Sequence, residues 1–238
     1  MRNSGFRIMA IGLLVQLCLP GAARPAQAQA ANAAYPAMAP LDEYLSASRN
    51  AEIALARSAA PPSIADKAEV MVLGPGGFTT AVKGSNGFLC LVERSWANAT
   101  GDPEFWNPKV RSPNCFNAAA ARTIAPIFLM KTRLVLQGKS RTEIAAAIAS
   151  ALDSKQLPPL APGAMCYMMS KQQYLNDTGK SWHPHVMFYG AGDAAGSWGA
   201  NLPGSPIIAS NDPQERVTVF MVLAGHWSDG SPAPPVAP

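Results

Sequence analysis

Three patterns of apolar positions follow one another along this chain. The first is a continuous run, Ile8 to Leu19, broken only by Gln16. Arg2 and Arg7 precede it, and Pro20-Gly21 ends it. Two overlapping small-residue sites come next, Ala26-Gln27-Ala28 and Ala28-Gln29-Ala30. A positive head, a short apolar run and an Ala-x-Ala exit make a secretory signal peptide over residues 1–30, too short to span a bilayer. Cleavage is expected near Ala30, with a flexible lead-in over residues 31–40.

The second pattern has helical spacing. Leu41 to Ala59 places Leu41, Tyr44, Leu45 and Leu55 near one face, and Pro61-Pro62 stops it. Glu52 projects onto that face and reads as a helix-rim carboxylate. Later, Asn117 is a good N-cap before an alanine run. Pro126 suits the first turn of a helix that runs to Gln137 and stops at Gly138. Ser140-Arg141-Thr142-Glu143 is a capping box. Ile144, Ala147, Ile148, Ala151 and Leu152 then recur at i, i+3, i+4, i+7 and i+8, the clearest amphipathic helix in the chain.

The third pattern alternates. Ala68 to Leu73, Phe78 to Lys83 and Phe88 to Ser95 read as a meander, joined by Gly74-Pro75-Gly76-Gly77 and Gly84-Ser85-Asn86-Gly87. Both faces of the third strand are apolar, which predicts a central strand. Trp96 to Asn114 reads as a long loop. Ala164 to Ser170, His185 to Tyr189 and Val217 to Leu223 are further strands, with a Gly-rich loop from Gly190 to Pro206. Strands, then helices, then strands predict an α+β fold. It comprises a single domain over residues 41–230, an antiparallel sheet packed with about three to four helices. Residues 231–238 read as a disordered, proline-rich tail.

Composition narrows the function. Removing residues 1–30 leaves 238 − 30 = 208 residues, enough for one core. Arg2, Arg7 and Arg24 leave with the leader and no acid does, so the mature balance is 19 − 3 = 16 basic against 15 acidic residues. A net charge of +1 with no basic run argues against a nucleic-acid partner. No long apolar stretch follows the leader, so no transmembrane segment is expected in the mature chain. A secreted, periplasmic location is expected, and there Cys90, Cys115 and Cys166 meet an oxidising environment. Three pairings exist. Cys90 on a central strand and Cys115 after a loop of moderate length favour each other, leaving Cys166 as a small apolar filler.

Several segments carry a resemblance. They are Gly84-Ser85-Asn86-Gly87-Phe88, Val92-Glu93-Arg94-Ser95-Trp96, Cys166-Tyr167-Met168-Met169-Ser170, and Trp182-His183-Pro184-His185 with the stretch from Trp198 to Pro206. Together they resemble a group of secreted bacterial proteins without an established activity, over most of the mature chain. The resemblance implies secretion and a single domain, and supplies no catalytic residues.

Candidate chemistry is sparse. His183 and His185 share a strand face if the strand begins there, and His226 follows the last strand. Three imidazoles there would suit zinc with an open position, or copper if nearby methionines join. Against that stand Pro184 between the histidines and the absence of a spaced acidic ligand. The plainer reading is loop-edge imidazoles packed against Trp182 and Trp227. Met165, Met169, Met187 and Met221 read as core filler. Cys115 before a helix could be a thiol nucleophile with His183 or His185 as base, unless a disulfide consumes it. Glu93, Arg94 and Trp96 end the central strand, either beside a pocket or as a solvated end. The leading expectation is a non-enzymatic binding or envelope-associated domain; the alternative is a hydrolase using His183, His185 and His226, or Cys115. A cleft is expected where the His185 strand meets the end of the last strand.

Overall fold

A computed structural model describes residues 34–235. The expected signal peptide and its cleavage point lie outside the described residues. Eight strands form one sheet: β1 (Glu69–Gly74), β2 (Gly77–Val82), β3 (Leu89–Glu93), β4 (Ser112–Phe116), β5 (Met165–Met168), β6 (His185–Ala191), β7 (Ile207–Asp212) and β8 (Val217–Leu223). Their order is β2-β1-β3-β4-β5-β6-β8-β7. Neighbours are antiparallel except β1 and β3. Five helices accompany them among the described residues: α1 (Arg49–Arg57), α2 (Pro62–Ala65), α3 (Ala118–Thr123), α4 (Ala125–Leu136) and α5 (Arg141–Asp153). The α+β class with a mostly antiparallel sheet is therefore observed.

Capping chemistry places the helices. Ser48, Asn117 and Ser140 each accept a backbone N–H from the first turn that follows, and Glu143 completes the capping box at Ser140. The helix expected from Leu41 to Ala59 is divided. Leu41–Tyr44 is a 3-10 turn, Leu45 is extended, and α1 starts only after Ser48. A side-chain oxygen that caps a helix start competes with a helix running through it.

The expected meander is also rearranged. β3 pairs with β1, parallel, and not with β2. The Gly84–Gly87 segment is a crossing and not a hairpin turn. The Ser85 N–H bonds the Lys67 carbonyl, and Asn86 donates to the Ile64 carbonyl. A Cβ at Gly84 would lie 2.2 Å from the Glu69 nitrogen, so only glycine fits this crossing. β4 replaces part of the expected loop, although Pro113 sits within it. β5 reaches only Cys115 and Phe116, so Pro113 has a strand on one side alone, where proline is tolerated.

The described residues near both ends contact the rest of the fold. Tyr35 donates to Asp177 at 2.5 Å, and Met38 and Ala39 pack on the core. Beyond Ser231, the Ala233 N–H returns to the Gly225 carbonyl at 2.9 Å.

The sheet separates two layers. Cys90, Val92 and Cys115 face α1 and α2 together with Val70 and Ala56. Leu89, Leu91 and Phe116 face the other way, against Ile124 and Ala125. Cys90 and Cys115 are direct cross-strand partners and form a disulfide; Cys166 is a buried free thiol. Closing this loop, a sequence separation of 25, contributes about 3 kcal/mol in the chain-entropy account.

At the end of β3 the layers receive charges. Arg94 and Glu52 are 1 % exposed. Arg94 Nη2 donates to both Glu52 oxygens at 2.9 Å, and Nε donates to the Tyr44 carbonyl at 2.7 Å. Ser46 also donates to Glu52. The carboxylate expected at a helix rim is thus an interior ion-pair partner. Breaking one side of such a pair is costly, whereas replacing both by apolar groups is tolerated. Arg94→Met alone is expected to cost about 3–5 kcal/mol in urea unfolding. Glu52→Leu with Arg94→Met should recover most of that loss. Equal losses in the single and double variants would contradict the ion-pair account.

Candidate functional site

Register decides what the second layer presents beyond the helices. α3 packs on β4 and β5, and α4 packs on β2. Past them, the same sheet face carries Glu93, Asn114, Met168, His185, Met187, Tyr189, Val219 and Met221, which line a cleft of about 660 Å³. Direct cross-strand partners point to one side of a sheet. Glu93 with Ser112, Met168 with His185, Met187 with Met221 and Tyr189 with Val219 are such partners. The rim comes from Ala97–Ala99, from Leu175, Asn176 and Trp182, and from the β7–β8 turn. Thr100 donates to Gln214 at 2.8 Å and joins two of these rims.

The opposite face of β6 and β8 is covered. Trp198 stacks on Phe220 with ring centroids 4.1 Å apart. A Cβ at Gly190 would meet that Phe220 ring at 2.9 Å, so glycine is required for the contact. The Gly-rich loop therefore roofs the face away from the cleft.

Glu93 occupies the cleft floor and is 7 % exposed. Asn114 Nδ2 donates to its Oε2 at 2.7 Å. Its Oε1 has no hydrogen-bond partner. Burial, reinforced by the charge of Glu215, pushes its pKa up to about 8. The group is a neutral acid at neutral pH, with its free oxygen able to donate a proton or, once ionised, to accept. Asn114 is oriented in turn by Cys166, whose thiol donates to Oδ1 at 3.4 Å. The Cys166 sulfur also contacts the Tyr189 hydroxyl at 3.2 Å. Burial holds this thiol protonated, well above the ordinary range.

Glu215 is handled differently. Lys131, 2 % exposed, forms an ion pair with it and donates to the carbonyls of Ala97 and Asn98 at 3.1 and 3.0 Å. One lysine thus ties α4, the rim and the β7–β8 turn together. Its positive charge is consumed in that role.

The three histidines expected to gather take different positions. His185 is buried at the start of β6, and its Nδ1 lies 2.7 Å from the His183 carbonyl. Trp182 sets its edge against His185, with centroids 4.7 Å apart. His226 is exposed and bridges to Pro232 in the closing turn. Among the described residues, no group of three or more His, Cys, Asp or Glu side chains could hold a metal ion. Met168, Met187 and Met221 line the cleft wall. Burial lowers the His185 pKa, which keeps it neutral. Cys115 is spent in the disulfide and offers no thiolate, which removes the nucleophile from the thiol reading. Trp96 belongs to the core, where its indole donates to Thr132 at 2.9 Å.

The sequence marks Glu93 as a strand end, either beside a pocket or solvated, and gives no sign of Asn114, Tyr189 or Glu215 in the site. One indirect signal existed. Lys131 follows the apolar run Ile127–Met130 in α4 and is itself buried. A lysine in a buried helix calls for a buried acid.

A raised carboxyl pKa makes stability fall with pH. The folded state holds the Glu93 proton up to about 8, while the unfolded chain releases it near 4.5. Stability from this proton is full below 4.5 and lost by about 8. His185 works in the opposite sense, but only below its ordinary 6.5. Between pH 6.5 and 8, urea unfolding should show a loss of up to about 1.4 kcal/mol per pH unit from Glu93. Glu93→Gln should flatten that slope. A slope of undiminished size in the variant would contradict the assignment.

Comparison with protein-family models gives no match, and comparisons with curated proteins and with solved structures give none either.

Proposed function

We propose that this protein is a secreted, periplasmic binding domain that holds a small molecule in the cleft over β3–β8, without catalysis. The observation that carries the reading is Glu93 Oε1. It is a buried polar atom without a partner, on the floor of a cleft of about 660 Å³. Buried polar groups are almost always satisfied, so an orphan in a cavity calls for a partner from outside the chain. The cleft is of ligand size, and its walls are mostly apolar with few converging polar groups. Trp182, Phe128 and the methionines would enclose an apolar body.

The location rests on separate support. The leader pattern over residues 1–30 is that of an exported chain. The Cys90–Cys115 disulfide fits an oxidising compartment. No described helix is long and apolar enough to cross a membrane.

A ligand-observed NMR screen of a diverse fragment set tests the reading. Hits should cluster in the cleft, and Met187→Trp, which fills it, should abolish most of them while leaving the thermal unfolding cooperative. A hit set unaffected by Met187→Trp would overturn it.

A further inference from the structure

The charge around the orphan oxygen narrows the ligand class. Among the described residues four acids line the cleft, Glu93, Asp102, Asp212 and a Glu215 already paired with Lys131, and no lysine or arginine lines it. The nearest buried cation, Lys131, is bound to Glu215 and to two carbonyls. His185 is buried with its Nδ1 at the His183 carbonyl. The cleft therefore has no free positive group to receive an anion. It has an uncommitted carboxyl oxygen, an acidic rim, and aromatic walls from Phe128, Trp182 and Tyr189. Acidic and aromatic walls together attract cations.

We infer that the cleft, read as a binding site, takes an organic cation with N–H donors and an apolar body, an amidinium or ammonium that docks its nitrogen on Glu93 Oε1. The inference rests on the binding reading above. A cation there favours the ionised carboxylate, so docking at neutral pH expels the Glu93 proton. An N–H donor satisfies the orphan oxygen, while Asn114 keeps the other oxygen in place. Glu215 and Lys131, which also face this position, are paired with each other. Burial keeps neutral both Cys166, which donates to Asn114, and Tyr189, whose hydroxyl contacts the Cys166 sulfur.

Three isosteric probes test it by calorimetry on the purified protein: benzamidinium, benzamide and benzoate. Benzamidinium should bind at least about tenfold tighter than benzamide, as expected when a charged hydrogen-bonded contact replaces a neutral one. Benzoate should bind weakest. In buffers of different ionisation enthalpy at pH 7, benzamidinium should release close to one proton, and benzamide none. Its affinity should rise about tenfold between pH 7 and 9, as the carboxyl ionises without help. Glu93→Gln should bring the benzamidinium affinity near that of benzamide and abolish the proton release. Tighter binding of benzamide or benzoate, or benzamidinium binding without proton release, would overturn the cation while leaving a binding cleft. Absence of binding by all three, with the fragment screen also blank, would overturn both.

Discussion

Burial of charge at the end of β3 organises both layers of this molecule. The strand alternates, so Glu93 and Arg94 leave it towards opposite faces. Each enters a layer that excludes water, and each must be neutralised there. Arg94 meets Glu52 from α1 and the carbonyls of Tyr44 and Val92. That contact fixes the start of α1 and the entering chain against the sheet. Glu93 receives only Asn114, and burial converts it to a neutral acid. One layer is thereby closed by an ion pair, and the other is left open at a protonated carboxyl.

Lys131 repeats the theme at the far side of the cleft. It binds Glu215 from the β7–β8 turn and the carbonyls of the rim after β3. The helix that closes one half of the sheet face thus also anchors the border of the half it leaves bare. The helices cover β2 to β5 and reach β6 and β8 only at one end, around Val217, while Trp198 of the Gly-rich loop covers the reverse face by stacking on Phe220. A concave apolar surface with one unpaired oxygen is the consequence.

Much of the fold was legible because local patterns and tertiary packing agree. The capping box at Ser140, the strand Val217–Leu223 and the central position of β3 all follow from spacing alone. The crossing at Gly84 was not legible as such, since an Asn-Gly pair serves a hairpin and a crossover equally well. Pro113 hid β4, because its tolerance depends on how far β5 extends, which is a tertiary fact. The site was only half visible. Glu93 stood out at a strand end, and His185 and Trp182 fell in the expected corner. His226 follows Leu223 into the closing turn, where it is exposed and bridges to Pro232. Glu215 sits in a turn whose sequence carries no sign of burial, and only the placement of Lys131 gives it meaning.

The chemistry of the cleft turns on Glu93 being a neutral acid at its floor. A carbon-13 NMR titration of the glutamate carboxyl groups, assigned by the Glu93→Gln variant, measures this directly. The account predicts that the Glu93 carboxyl carbon titrates near pH 8, with its resonance in the protonated position at pH 6. A midpoint at the ordinary 4.5 would contradict it.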